Sequence, residues 1–366
     1  MPNRNTYDIA FFGSSLVSAY WNGAATYYRG ILQALHKRGH TVTFYEPDAF
    51  DRQSHRDIAN PAYARVVVYG AKNEFQVIAA IQQAQTAQVV VKASGVGVYD
   101  ELLEEAVLGL RKPATRVVFW DVDAPATLER MRTNRSDRFR ELVRAYDGVF
   151  TYGGGEPVIQ DYTDFGARTC VPIYNALDPT THYPVSPRDE YRADLSLLAN
   201  RMPDREKRIH EFFFRPAAAL PRHRFLLGGN GWGENAPRRP NIAYIGHVYT
   251  ADHNAFNSSA RAVLNVNRQS MADYGFSPAT RIFEAAGAGA CIITDSWRGI
   301  DRFLTPGQEC LVAETGEDVA SILQNLSPER AAAIGTAAYH RVQAEHTYDH
   351  RALLVEEKLC NLFEVN

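Results

Sequence analysis

The chain has 366 residues, more than one hydrophobic core normally serves, so two domains are expected. Its composition, 45% hydrophobic and 22% charged, is that of an ordinary soluble protein. A net charge of −3 with a pI near 6.4 supplies no global basic field, which argues against nucleic acid and acidic membrane surfaces as partners.

The longest apolar runs, such as Val89–Val91 and Cys291–Ile293, are far too short to span a membrane, and the N-terminus has no apolar leader core. Cys170, Cys291, Cys310 and Cys360 are widely spaced, without a C-x-x-C pair. Free thiols, and hence a reduced, cytoplasmic setting, are expected.

Apolar strand-like runs alternate with helical patterns along the whole chain. Asp8–Phe12 reads as a strand entering the loop Gly13-Ser14-Ser15. Thr26–Arg38 has helical spacing through Tyr28, Ile31, Leu32 and Leu35, and stops at Gly39. Strands follow at Thr41–Tyr45 and Arg65–Tyr69, a helix at Glu74–Gln85, a strand at Gln88–Lys92, a helix at Asp100–Arg111 and a strand at Arg116–Trp120. Helices at Ala126–Arg132 and Asp137–Ala145, a strand at Gly148–Tyr152, a helix at Pro157–Asp164 and a strand at Thr169–Ile173 complete the first series. Such alternation implies parallel strands in a doubly wound sheet.

The stretch from Pro172 to Pro187, with Pro179 and Pro184, breaks the pattern and reads as a linker. A second series follows. Strands are expected at Asp194–Leu198, Arg224–Leu227, Ile242–Ile245, Ala262–Val266 and Leu311–Ala313. Helices are expected at Asp204–Leu220, His253–Ala260 and Glu317–Leu326, with Pro328–Glu345 and Tyr348–Phe363 closing the chain. The expected architecture is α/β, two Rossmann-like domains facing a central cleft, where ligands bind at strand carboxyl ends.

The most informative segment runs from Tyr274 to Asp295. A loop with Gly275 and Pro278 opens a helix carrying Arg281 and Glu284 on one face, which ends at Gly287/Gly289 and enters a strand. A helix start offers free N–H groups and a positive dipole end to a pyrophosphate. Arg281 adds charge-assisted hydrogen bonds, and Glu284 can accept from a ribose diol. The segment reads as a nucleoside-diphosphate site, although an amphipathic helix with an exposed ion pair would use the same residues. No strand–G-x-G-x-x-G–helix unit marks a dinucleotide cofactor, and the eleven histidines show no H-E-x-x-H or similar spacing, so no metal is assigned.

Two such domains, with the nucleotide signature in the second, resemble the GT-B glycosyltransferases, and within them the CgeB-like branch. The resemblance rests on Gly275-Phe-Ser-Pro-Ala-Thr-Arg-Ile-Phe-Glu-Ala-Ala-Gly-Ala-Gly289, Thr294-Asp-Ser-Trp-Arg-Gly-Ile-Asp301 and Thr305-Pro-Gly-Gln-Glu309. In the first domain it rests on Trp21-Asn-Gly-Ala-Ala-Thr-Tyr-Tyr-Arg-Gly30, Arg38-Gly-His-Thr-Val-Thr-Phe-Tyr-Glu-Pro-Asp48 and Phe119-Trp-Asp-Val-Asp-Ala-Pro-Ala-Thr-Leu128. One departure is plain. Retaining enzymes of the related large family carry a second glutamate upstream of the one matching Glu284, and that position is Phe276 here.

The resemblance implies domains at 1–178 (acceptor) and 188–345 (donor), with residues 346–366 forming a helix that returns to the first domain. It implies metal-independent transfer of a sugar from a nucleotide-diphosphate donor, UDP-linked, to a hydroxyl on a small molecule or glycan. Nucleotide sugar is thus a co-substrate and no cofactor is implied. Ser277 and Arg281 would hold phosphates, with Asn200, Arg201 and Arg205 in the loop after the second domain's first strand, unless that loop is merely a solvated basic one. Gly246, His247 and Val248 would meet the nucleobase, and Gly154, in a glycine loop that reads equally as a plain turn, the donor. Ser14, Ser15, Trp21 and Asn22 would face the acceptor. Asp121 and Asp123 follow a strand at its carboxyl end. Asp123 is the expected acceptor base or anchor, supported by Asp121, with a helix N-cap as the competing role. A UDP-sugar epimerase and a non-catalytic binding protein stay open as alternatives, as do the sugar, the stereochemistry and a homo-oligomeric state.

Overall fold

The computed structural model describes residues 6–233 and 236–364. The chain forms two compact units. One contains the chain up to Tyr174 together with the segment from Tyr348 onward; the other is Asn175–Thr347. In the first unit, strands β1 (Asp8–Phe12), β2 (Thr41–Asp48), β3 (Arg65–Gly70), β4 (Val89–Ala93), β5 (Arg116–Asp121), β6 (Gly148–Thr151) and β7 (Cys170–Pro172) form one sheet. Its order is β3-β2-β1-β4-β5-β6-β7, with every pairing parallel. All five residues of β4 are buried, as suits a strand covered on both faces.

The second unit repeats the plan. Strands β8 (Ala193–Leu198), β9 (Phe225–Gly228), β10 (Ile242–Gly246), β11 (Ala260–Asn265), β12 (Ile292–Asp295) and β13 (Leu311–Ala313) form a sheet in the order β10-β9-β8-β11-β12-β13, again all parallel. In each sheet the order reverses beside the unit's first strand, between β1 and β4 and between β8 and β11. Loops leaving the carboxyl ends there diverge and leave room for a ligand. The second core is built by Leu195, Leu197, Phe213, Phe225, Leu227, Leu264 and Ile293, with Val319, Leu323 and Ile334 packed on it.

Three segments differ from the sequence expectation. Residues 204–220 form not one helix but Pro203–Ile209, a π-turn at His210–Phe214, and Arg215–Ala219. Pro216 has no N–H to donate and its ring would strike the carbonyl of Phe212, so the helix widens there. The widening still buries Phe212, Phe213 and Phe214. Residues 137–145 form only a short turn, Phe139–Leu142, running into the 3₁₀ segment Val143–Ala145. A short helix, Gln269–Tyr274, has no counterpart in the sequence reading because it buries only Met271 and shows no apolar period.

The last helix, Tyr348–Glu364, packs on the first unit and buries Tyr348, Ala352, Val355 and Leu359. Leu353 is 49% exposed, because the buried face follows the spacing from Tyr348. Glu356 receives Arg38 and lies 3.0 Å from His40 Nε2, while Arg116 Nε donates to the Leu362 carbonyl at 2.6 Å. The Tyr348 ring lies against Gly30. A Cβ on Gly30 would sit 2.1 Å from that ring, so only glycine allows the two helices to close. Gly30→Val is therefore expected to lower unfolding free energy by about 1–3 kcal/mol in urea titration, through overpacking. A variant as stable as the parent would show that this contact is not tight.

Candidate functional site

In the second unit, β12 is preceded by the helix Thr280–Gly287, whose N-terminus lies at the carboxyl edge of the sheet. Gly275 adopts φ +73, and a Cβ there would meet Arg298 at 2.8 Å, so the turn requires glycine. Phe276 also has a positive φ, +46; its N–H donates to the Arg298 carbonyl at 2.6 Å. The guanidinium carbons of Arg298 and Arg302 sit 5.0 and 4.6 Å from its ring centre. This loop delivers the chain to Ala279, an N-cap position with no side-chain cap, and the first helical turn holds no acidic residue. Its leading N–H groups and positive dipole end therefore lack the usual internal anion.

Arg281 Nη1 lies 2.9 Å from Glu284 Oε2, and the Arg281 Nε is buried without a hydrogen-bond partner. Glu284 is nearly sealed, 7% exposed. Two histidines that the sequence reading did not single out stand beside it. His182, from the proline-rich segment, places Nε2 3.8 Å from Glu284 Oε1, and His253 opens the helix His253–Ser259. Burial alone would raise the Glu284 carboxyl, but Arg281, joined by His182 and His253, overrides it and brings the group to about 2. Burial lowers the His253 imidazole to about 4, with Arg281 adding to the effect, and lowers His182 as well. At neutral pH the cluster is one carboxylate, one guanidinium and two neutral imidazoles. No local sequence signal marks these histidines, since only the fold brings positions 182, 253 and 284 together.

The other residues expected at the donor are placed as follows. Ser277 donates its hydroxyl proton to the Gly275 carbonyl at 2.9 Å, so it shapes the loop rather than offering a proton to phosphate. Asn200 Oδ1 accepts from the Asn230 N–H, and Arg201 pairs with Glu206 at 2.6 Å. Asn200 thus ties the loop after β8 to the loop after β9, and Arg201 ties the β8 loop to the helix Pro203–Ile209. Arg205 lies on the short helix Pro203–Ile209. Gly246 ends β10 with φ +68, His247 is exposed and stacks edge-on with Tyr249, and Val248 is buried against Phe256 and Leu226. These loops leave the carboxyl ends of β8 and β10, on the same edge of the sheet as the start of the Thr280–Gly287 helix.

In the first unit, Asp121 is fully buried at the end of β5 and accepts from Ser94 Oγ at 2.7 Å, Thr127 Oγ1 at 3.1 Å, the Asp123 N–H at 2.9 Å and the Tyr162 hydroxyl. Burial raises its pKa, with those hydrogen bonds opposing. Its oxygens are committed, so its support of Asp123 runs through the backbone. Asp123 stands at the N-cap position of Ala124–Thr133, yet its side chain makes no capping hydrogen bond. The capping role is therefore not what this carboxylate performs. Gly154 has φ +94 before the helix Gly155–Asp164, and a Cβ there would lie 2.0 Å from Val158, which accounts for the glycine without a ligand.

Ser14, Ser15 and Asn22 require correction as acceptor contacts. All three are buried: Ser14 Oγ donates to Asn22 Oδ1, Ser15 Oγ to Glu46, and Asn22 Nδ2 to the Ser15 and Ser18 carbonyls. They build the loop. Trp21, 72% exposed at φ +47, is the one of the four that this loop presents outward.

Both acidic shifts bear on stability. The folded-state pKa of Glu284 is depressed from 4.5 to about 2, so its contribution is complete above pH 4.5 and lost as pH falls towards 2. That of His253 is depressed from 6.5 to about 4, so its contribution is complete above pH 6.5 and lost towards 4. Unfolding free energy is expected to drop by on the order of 1–3 kcal/mol over the upper window. His253→Gln should shrink that limb, to which His182 also contributes, and Glu284→Gln chiefly the lower one, in urea titrations at stepped pH. An unchanged slope in His253→Gln would contradict the assignment.

Residues 205–357 match a family model described as glycosyl transferase-like. No curated protein matches the sequence. Among solved structures, a sucrose-phosphate synthase from Thermosynechococcus elongatus is 13% identical with a TM-score of 0.67, over 98% of this chain and 100% of that one. HepE from Anabaena, solved in complex with UDP-glucose, is 14% identical with a TM-score of 0.67, over 97% and 100%. An alpha-glucosyltransferase in complex with UDP-glucose and DNA is 14% identical with a TM-score of 0.66, over 98% and 100%. At such identities the likeness is one of architecture. Two parallel Rossmann-like sheets with flanking helices, matched end to end by these structures, give this chain the GT-B glycosyltransferase fold.

Proposed function

We propose that the chain is a glycosyltransferase that takes a sugar from a nucleoside-diphosphate donor, UDP-linked, and passes it to a hydroxyl of a small molecule or glycan. The observation that carries this reading is the uncapped start of the Thr280–Gly287 helix beside Arg281 and an ionised, nearly sealed Glu284. The helix start and the unpartnered Arg281 Nε take the diphosphate, and Glu284 accepts from the ribose hydroxyls. Fixed positive groups around the leaving diphosphate stabilise the charge that grows as the glycosidic bond breaks. Arginine and helix-end charge make a metal ion unnecessary for that step.

Two of the structural neighbours were captured with UDP-glucose, which supports UDP as the carrier here. One of them also holds DNA, but the net charge of −3 favours a small or glycan acceptor for this chain. Among the described residues no helix is long and apolar enough to cross a membrane, and four free cysteines fit a cytoplasmic setting. Within the fold, the ordered motifs fit the CgeB-like branch. Asp123, at the carboxyl end of β5, is assigned to the acceptor hydroxyl as base or anchor. A second reading, donor binding without turnover, draws on Phe276 standing where the related retaining enzymes carry an acid.

Calorimetric titration with UDP and uridine tests the donor site. Arg281→Ala is expected to weaken UDP by about 1.5–3 kcal/mol and uridine much less, because the lost hydrogen bonds are to charged oxygens. Glu284→Gln should weaken both. Equal UDP affinity in the Arg281 variant would remove the site. For turnover, Asp123→Asn is expected to cut the transfer rate on the order of a hundredfold with UDP affinity retained. Transfer should also persist in excess EDTA; loss of activity restored by Mn²⁺ would overturn the metal-free mechanism.

A further inference from the structure

The His182–His253–Glu284 cluster has a chemistry that nucleotide binding does not use. We propose that these three side chains form a site for a divalent transition-metal ion of the zinc class, and that the ion excludes the nucleotide. The second half of this proposal rests on the nucleotide reading of Glu284; the first does not.

The donor atoms of the three residues lie within 4.8 Å of one another. Two neutral imidazoles and an ionised carboxylate are the protonation states that metal ligation needs, and His₂Glu is a donor set that zinc takes. A second partner orients His182. Its Nδ1 lies 2.9 Å from Thr181 Oγ1, whose own proton goes to the Asp178 carbonyl at 3.2 Å. The threonine oxygen therefore accepts from Nδ1–H, leaving the Nε2 lone pair directed at Glu284 Oε1, 3.8 Å away. Outer hydrogen bonds of this kind fix the ligating nitrogen of metal-bound histidines.

His182 is 3% exposed and its Nε2 is buried without a protein hydrogen-bond partner. An acceptor nitrogen facing a carboxylate oxygen, with no donor between them, is an arrangement a cation resolves. Ligands of a tetrahedral zinc stand about 3.4 Å apart, so the His182–Glu284 spacing is close to what is required. The wider separations close by side-chain rotation. Arg281 occupies Oε2 of Glu284 at 2.9 Å and leaves Oε1 for the ion. Its positive charge weakens the site without filling it. Imidazole ligands favour zinc, cobalt or nickel over magnesium or calcium.

An ion on Oε1 removes an acceptor that the ribose hydroxyls use, so ion and nucleotide compete, and the loss of affinity is reciprocal. The ion thus acts on the donor site as an inhibitor and not as a catalyst, so the exclusion is consistent with the metal-free mechanism proposed above.

The test uses the full chain stripped with EDTA and titrated with Co²⁺, whose tetrahedral complexes absorb visible light. A saturable band is expected, at least tenfold weaker in affinity in His182→Gln and in His253→Gln, each checked for folding by thermal unfolding. If one variant does not fold, the other decides. Uridine, which has the ribose but no phosphate to chelate the ion, should displace Co²⁺ from the parent chain, and UDP affinity should fall when Zn²⁺ is present. Absence of the band, or a band unchanged in the folded variants, overturns the ion site. A band with UDP and uridine both failing to bind the stripped chain overturns the nucleotide reading and leaves the ion site standing. Ion and uridine binding independently overturns the exclusion.

Discussion

The carboxyl edge of the second sheet is organised around one electrostatic problem, a carboxylate that is buried and still ionised. Removing Glu284 from water disfavours its charge, and an isolated buried ion would take up a proton. Arg281, one helical turn earlier on the same face, answers that cost with a contact at 2.9 Å. The pair stands at the start of a helix whose dipole also favours negative charge. The helix in turn holds its place because Ile282, Phe283, Ala285 and Ala286 are buried in the unit's interior. Sheet order, helix direction and the ion pair are one arrangement: a parallel sheet sends each helix start to the strand carboxyl edge, so the charged groups of that edge meet there.

Much of this was legible because each signal is local. Arg281 and Glu284 are three positions apart, and their shared face follows from helical period alone. The strands of both sheets are short apolar runs between turn residues, and their alternation with helices leaves few topologies. The π-turn was not legible, since it depends on Pro216 meeting the Phe212 carbonyl while three successive phenylalanines find core positions. His182 and His253 were not legible either. One lies in a proline-rich segment and the other opens a seven-residue helix, and neither has a ligand-spaced neighbour in sequence.

The first unit teaches the reverse lesson, that polar residues at a strand end can be construction. Asp121 collects a serine, a threonine, a tyrosine and a backbone N–H, and so ties β4, β5 and the helices Ala124–Thr133 and Gly155–Asp164 to one buried carboxylate. Glu46 does the same for the loop after β1, receiving Ser15 Oγ, the Leu16 N–H and Gln53. In sequence, such residues cannot be told from ligand contacts, because both roles call for small polar groups beside glycine. Burial separates them. Ser14, Ser15 and Asn22 are spent inside the loop, while the Trp21 side chain is projected from it.

Phe276 shows how the loop before the Thr280–Gly287 helix holds a costly backbone conformation. A non-glycine residue at φ +46 is strained, by about 1–3 kcal/mol, and persists only where its surroundings enforce it. Here they do so from three sides. Its N–H is bound to the Arg298 carbonyl, its ring is flanked by two arginines, and Gly299 has no side chain to collide with that ring. An acid at this position would gain from those arginines; a phenylalanine gains instead from cation–π contact and burial. These contacts fix the backbone path, which sets the direction of the free N–H groups at Ala279 and beyond. A strained path held from three sides is a rigid one, so the N–H groups at the start of the Thr280–Gly287 helix keep a fixed direction.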